Sequence, residues 1–434
     1  MNNIVEVILW GEQIGAAAVS NNSRIVSFQY SPDFIRSGME VAPLTMPLND
    51  KVYTFPSLSA DAFYGLPGLL ADSLPDRFGN ALIDAWLASQ GRTPESFTAL
   101  ERLCYIGKRG MGALEFRPAL GPTDRTSKNI HIDKLVNLAS EILTQRETLN
   151  ASFNEKRKTD ALKEILLVGT STGGARAKAV ITWNSATNEV RSGQLDAPPG
   201  FSHWLLKFDG VSGNRDKELN DPKGYGAIEY AYYKMALDAG IMMSESRILE
   251  ENGRHHFMTR RYDRTDNGRK LHKLSLYGMA HYDFHQPGAY SYEQVLFIIR
   301  RLGLPMSTVE QFFRRMVFNI VARNQDDHVK NIEFLMDKSG EWSLAPAFDL
   351  TYSYHPYGQW TSRHQMTLNN KQDNFTQDDF KACAETASMK RGQAAVIIRE
   401  VTDIVSKWEH YADKAGVPPN QRNKIQTTLR LNLL

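Results

Sequence analysis

Asp326-Asp327-His328-Val329-Lys330-Asn331, followed by the strand-like Trp342-Ser343-Leu344-Ala345-Pro346-Ala347-Phe348-Asp349, is the stretch on which the reading of the fold turns. An aspartate, an asparagine five positions on and a further aspartate beyond a strand form the set that phosphoryl transfer from ATP requires. One carboxylate orients the acceptor hydroxyl and takes its proton. An amide oxygen and a second carboxylate are hard ligands that hold magnesium against the phosphates. A solvated Asp-Asp turn with a helix cap explains the hexapeptide alone equally well, since short motifs recur by chance. The decision therefore rests on its surroundings.

Immediately upstream, Phe312, Phe313, Met316, Val317, Ile320 and Val321 repeat as one apolar helical stripe, behind an expected capping box from Ser307 to Glu310. That helix delivers the chain into Asn324-Gln325-Asp326. Further upstream the texture is strand-rich. Ile165 to Val168, Lys178 to Trp183, Trp204 to Phe208, Ser246 to Leu249 and His256 to Tyr262 read as strands, with a helix from Ala227 to about Ala239 stopped by Gly240. Between the first two strands lies Gly169-Thr170-Ser171-Thr172-Gly173-Gly174-Ala175-Arg176-Ala177, a turn whose glycines let backbone N–H groups approach phosphate. It is neither a Walker A loop nor a G-x-G-x-x-G, and a plain hairpin loop explains the glycine pair as well. Lys207 closes an apolar strand and Glu229 lies on the following helix. A phosphate-binding lysine held by an acid fits the pair, and so does a lysine snorkelling from a half-buried strand. The order of the pieces favours the first reading: glycine loop, lysine strand, acid-bearing helix, aspartate loop, metal aspartate.

Residues 1–125 read as a separate α/β unit, with an alternating strand through Ile4, Val5, Val7 and Leu9, helical sequence near Ser59 to Gln90, and turns at Gly107, Gly110 and Gly112. A polar helix from about Ile132 to Arg146 and the charged Asn154-Glu155-Lys156-Arg157-Lys158 lead into a strand-rich lobe, 126–265, and a helical lobe, 266–434. The expected class is α+β. A chain of 434 residues, 42% hydrophobic and 23% charged, has ordinary globular composition, and a net charge of +2 excludes a global field that demands nucleic acid or membrane. Cys104 and Cys383 have no partner at zinc-ligand spacing and make no disulfide framework. Without a signal pattern or an apolar run of bilayer length, the expected location is the cytoplasm, with no membrane partner. His281-Tyr282-Asp283-Phe284-His285 lacks a third spaced ligand and reads as a loop, while Arg314-Arg315 reads as solvated charge on a polar helix face. Neither a Ser-His-Asp arrangement on a nucleophile elbow nor a Rossmann fingerprint presents itself.

The combination resembles the HipA family of bacterial toxin kinases nearly end to end. Gly65-Leu66-Pro67-Gly68-Leu69-Leu70-Ala71-Asp72-Ser73-Leu74-Pro75-Asp76-Arg77-Phe78-Gly79 and Ala99-Leu100 through Gly112-Ala113-Leu114-Glu115-Phe116 match its amino-terminal domain. Ser171 to Lys178, Lys207, Arg261-Tyr262-Asp263-Arg264, Asp326-x-His328-x-Lys330-Asn331 and Asp349 match its kinase part. The resemblance implies a small α/β domain packed on a two-lobed protein-kinase-like fold, with a strand-rich N-lobe and a helical C-lobe. It implies Asp326 as proton acceptor, Asn331 and Asp349 as magnesium ligands, and His328 and Phe348 beside the nucleotide. Gly173, Gly174, Ala175, Arg176, Ala177 and Lys178 would form the phosphate loop, Lys207 the phosphate-binding lysine, and Arg260, Arg261 and Tyr262 a hinge touching adenine through backbone groups. Arg260 stands where a well-known member has an acid.

Ser171 would be an autophosphorylated serine whose phosphate switches the enzyme off, with Thr170 and Thr172 as competing acceptors. The implied cofactors are ATP and Mg2+. The implied partners are a HipB-like helix-turn-helix antitoxin, operator DNA held mainly through it, and a protein substrate such as an aminoacyl-tRNA synthetase, whose phosphorylation would inhibit translation. Two rival readings are a small-molecule phosphotransferase of the aminoglycoside type, which has no need of the front domain, and an inactive co-repressor module bound to a DNA-binding antitoxin.

Overall fold

Alternation of apolar and polar side chains builds the first sheet. In β1 (Ile4–Leu9) Val5 and Val7 are buried while Ile4 and Glu6 face out. The strand pairs antiparallel with β2 (Glu12–Val19) and β5 (Leu114–Arg117). With β3 (Val26–Tyr30) and β4 (Val52–Tyr53) the order is β4-β3-β2-β1-β5. The computed structural model describes residues 3–19, 23–121, 130–144, 165–166, 176–194, 197–211 and 224–433.

A second antiparallel sheet has the order β7-β6-β8-β10-β9, from β6 (Lys178–Asn184), β7 (Glu189–Ser192), β8 (Ser202–Lys207), β9 (Ser246–Glu251) and β10 (Arg254–Arg260). The helix Tyr225–Asp238 packs on it and turns Glu229 inward. Three short strands, β11 (His272–Ser275), β12 (Glu333–Met336) and β13 (Trp342–Leu344), form a third sheet beside the helices that fill the rest of the chain. The result is the expected mixed, kinase-like fold.

Several local expectations need correction. The helix through Phe312 runs from Met306 to Val321 and takes Pro305 as its N-cap, with no side-chain capping bond. Proline's fixed φ starts the helix early, so Ser307 falls inside the first turn and its capping box does not form. Ile165 and Leu166 are helical and buried, where a strand was expected. The strand expected to reach Tyr262 stops at Arg260. The C-lobe, expected to be helical, carries the third sheet. The charged stretch Asn154 to Lys158 lies outside the described residues.

The front domain is wedged between both lobes. Its helix Arg77–Ser89 places Phe78, Leu82 and Ile83 in one core with Ile181, Trp204 and Leu206 of the N-lobe. Its short helix Gly68–Ala71 lies against the C-lobe helix Leu276–Ala280 at glycine distance. A Cβ on Gly68 would fall 2.6 Å from the Gly278 carbonyl oxygen and 2.3 Å from His281, so no larger residue fits there.

A buried histidine, His272, and a half-buried one, His281, fasten the same interface. His281 Nε2 accepts the Gly68 N–H at 3.0 Å, and a ring nitrogen of His272 lies 2.9 Å from the Val41 carbonyl. Burial pushes both imidazoles down to about 4. In the unfolded chain they titrate near about 6.5, so between these values the unfolded state binds protons that the native state refuses, and stability is lost as pH falls through that window. The urea midpoint is therefore expected to fall on acidification from pH 6.5 toward 4. His203 and His256, pushed down to about 4 as well, add to that fall, and His272→Gln, which removes one of the four titrations, is expected to make it shallower.

Candidate active site

Lys178 and Lys207 are cross-strand partners in the β6-β8 register, so their side chains leave the same face of the sheet. Lys207 Nζ donates to Glu229 Oε1 on the N-lobe helix and to Asp349 Oδ1 from the C-lobe. Arg176 stacks over the Tyr225 ring, and its Nη1 lies 3.4 Å from the other Glu229 oxygen. Burial pushes the Asp349 carboxyl up, but Lys207, Lys178 and Arg176 more than reverse this and hold it well below the usual carboxylate range. Burial likewise disfavours the Lys207 ammonium, and Asp349 and Glu229 restore it and raise its pKa above the ordinary lysine value. A narrow cleft lined by Arg176, Lys207, Tyr225, Glu229 and Phe257 lies beside this group.

On the C-lobe side, the amide nitrogen of Asn331 donates to the Asp326 carbonyl at 2.8 Å, which leaves the amide oxygen as the group available to a cation. The Asp326 side chain is 52% exposed, and His328 Nε2 stands 3.7 Å from its Oδ1. Asp349 sits at φ 53°, a left-handed backbone that aspartate tolerates better than most residues. Asn324 ties the two segments together, donating to Asn319 Oδ1 at 2.9 Å and toward the Asp349 carbonyl at 3.4 Å.

The segment expected to serve as a hinge is already occupied by backbone pairing. The Arg260 N–H is bonded to Glu245 O at 2.7 Å and the Arg261 N–H to His203 O at 3.0 Å. Neither can meet a base without opening that pairing. The Arg260 guanidinium reaches Asp266 at the surface. Tyr262 stacks on Phe348 at 5.4 Å, so this segment touches the one that carries Asp349.

Residues 5–117 match the family model of the HipA N-terminal domain, and residues 170–408 that of the HipA-like C-terminal domain. The chain belongs to the HipA family. Over nearly its whole length it superposes on HipA of Shewanella oneidensis, solved with HipB and operator DNA. The match covers 98% of this chain and 94% of that one, with a TM-score of 0.66 and 15% identity. A Haemophilus influenzae relative named "Putative kinase" is 25% identical over 210 residues, which is 42% of this chain and 60% of the relative.

The HipA motif Arg261-Tyr262-Asp263-Arg264 is structural at its core. Asp263 is fully buried and accepts from Arg261 at 2.9 and 2.6 Å, from Arg264 at 2.7 Å and from the front-domain Gly112 N–H at 2.6 Å. Ser171, Gly173, Gly174 and Ala175, with Thr170 and Thr172, lie outside the described residues. Gly169-Thr170-Ser171-Thr172-Gly173 does have the G-x-S-x-G spacing of a hydrolase elbow, contrary to expectation, and it falls in the same stretch. The buried His364–Asp327 pair is no relay for it. Arg430, which can only donate, takes His364 Nε2 at 2.8 Å, while Nδ1 meets Asp327 at 2.8 Å.

Arg315 also departs from expectation. It is buried, donating to the Ala345 carbonyl at 2.8 Å, and burial lowers its pKa to about 9. Asp72, Asp76, Asp263 and Asp327 stand inside the motifs of the sequence, but it assigns them no role, because each gains its meaning from partners far away in the chain. Asp263→Ala leaves two buried guanidinium groups without their anion. It is expected to cost about 3–5 kcal/mol of unfolding free energy, read from urea denaturation.

Proposed function

We propose that this HipA-family chain is an ATP- and magnesium-dependent serine/threonine protein kinase and the toxin of a toxin-antitoxin module. The observation that supports the reading is Lys207 bonded at once to Glu229 of the N-lobe and Asp349 of the C-lobe, the pairing that a phosphate-binding lysine between two lobes would need. Arg176, Lys178 and Lys207 supply positive charge for the phosphates. The Asn331 amide oxygen and the Asp349 carboxylate are hard donors suited to magnesium, and among the described residues no group of three His, Cys, Asp or Glu offers a rival metal site. Magnesium, when bound, neutralises phosphate charge that builds up during transfer. The acceptor oxygen bonds to the γ-phosphorus as the bond to ADP breaks, the hydroxyl proton passes to Asp326, and ADP leaves.

The likeness to a HipA solved with HipB and operator DNA supports a HipB-like helix-turn-helix antitoxin as partner, with DNA held mainly through it. The protein substrate we favour is an aminoacyl-tRNA synthetase, with arrest of translation as the outcome and Ser171 as the autoregulatory site. The small-molecule phosphotransferase reading leaves unexplained why the front domain shares a core with each lobe. The inactive co-repressor reading leaves unexplained why Lys207, Glu229 and Asp349 are held in contact.

Labelled ATP incubated with the chain and a cell lysate is expected to label protein and no small metabolite. Asp326→Ala is expected to lower that transfer by about 100-fold or more while ATP still raises the melting temperature. Undiminished label transfer in the variant refutes the assigned base.

A further inference from the structure

Lys330 is a cation on the candidate catalytic loop with no counter-ion in contact among the described residues. It lies in the short turn Val329–Asn331, half-buried, between Asp326 and Asn331 in sequence. Among the described residues no carboxylate forms an ion pair with it, although neighbouring His328 and His364 each face one. Its ammonium sits 4.6 Å from the Tyr277 ring centre and 4.4 Å from that of Phe284. Two aromatic faces hold the charge while leaving its N–H donors unspent. Burial lowers its pKa from the ordinary lysine value, and Asp72, Asp76 and Glu333 partly restore the charge without an ion-pair contact.

The aromatic ledge is seated by the front domain. Asp72 accepts the Ser275 N–H at 2.8 Å and its hydroxyl at 2.5 Å, and Ser275 N-caps the helix Leu276–Ala280 that carries Tyr277. Tyr277 in turn donates to the Ala62 carbonyl at 2.7 Å and stacks on Phe63 at 4.4 Å. A continuous chain of contacts thus runs from the front domain through Ser275 and Tyr277 to Lys330. Nearby, Asp76 Oδ2 lies 3.4 Å from Lys178 Nζ and makes no hydrogen bond. Lys178, in contact, and Lys330, at longer range, one from each lobe, both act on the same front-domain acid.

We propose that Lys330 is a further catalytic residue, donating to the transferring phosphoryl group, and that the front domain aims it through Asp72 and the Tyr277 ledge. The inference rests on the kinase reading. Lys330 stays protonated throughout and gives a hydrogen bond to a phosphoryl oxygen. The bonds made and broken are those already described, with the proton going to Asp326. Asp72 is a positioning residue. Its effect on rate is exerted through Tyr277 and Lys330.

The experiment uses the full chain, radiolabelled ATP, label transfer to the chain itself as the rate, and titration with a fluorescent ATP analogue for affinity. Lys330→Met is expected to lower the rate constant by about 100-fold or more while the analogue's Kd stays within about threefold. Lys330→Arg should restore part of the rate, and Asp72→Asn should lower it in the same direction by a smaller factor. Arg36→Ala, on an exposed front-domain helix, serves as the unchanged control. A Lys330→Met protein that melts earlier yet transfers label at the parent rate overturns the proposal. Should that variant fail to fold, an Asp72→Asn protein with the parent rate overturns the coupling through the front domain. A parent chain that transfers no label overturns the kinase reading itself, separately from the role of Lys330.

Discussion

The buried ammonium of Lys207 sets the terms for the rest of the molecule. A charge removed from water survives only if opposite charges meet it. Here Glu229 comes from the same lobe and Asp349 from the other. The β6-β8 register brings Lys178 up beside Lys207, and the left-handed backbone at Asp349 turns its carboxylate toward them. An anionic ligand entering between the lobes meets cations already oriented and charged. That preorganisation, more than any single bond, is what phosphoryl transfer asks of a protein.

The front domain belongs to this arrangement. Asp72 faces Lys273 at 3.6 Å, Lys273 bonds Glu333 at 2.7 Å, and Glu333 accepts from Tyr262, whose ring stacks on Phe348. The path begins in the front domain and ends one residue from Asp349. Gly112 completes the shell of Asp263 in the same manner. Such buried ionic networks add little net stability, because desolvation offsets the attraction. What they do here is fix how three units sit together, since any other docking would strand a charge.

Much of the fold was legible because apolar periodicity is a local signal. The strands β1, β6 and β8 and the helix through Phe312 follow directly from it. Errors came where two local signals competed, as at Pro305 against Ser307, or where an apolar run fits either conformation, as at Ile165 and Leu166. The pairing of Lys207 with Glu229 was readable from the order of elements. Asp263 and Gly112, Asp72 and Ser275, and Arg430 and His364 were not, because nothing along the chain marks partners so far apart. Arg315 shows the same limit, since its spacing suits a solvated face and only the fold puts the Ala345 carbonyl against it.

The adjacent acids Asp326 and Asp327 show why environment, and not residue type, assigns roles. Asp327 is 1% exposed in its side chain and receives the Tyr292 hydroxyl, the His364 ring and the Gln365 N–H. Burial raises its pKa, and His364 and the other donors more than offset that and keep it below the ordinary value. With its lone pairs committed, it has neither access to a substrate nor affinity for its proton. Asp326, one residue earlier, is exposed, and among the described residues its carboxylate meets only a loose approach from His328. The loop thus spends one carboxylate on anchoring itself, through His364 to Arg430, while its neighbour stays exposed. A solvated Asp-Asp turn would leave the two acids alike, and their opposite burial is the strongest structural argument that this loop is built for chemistry.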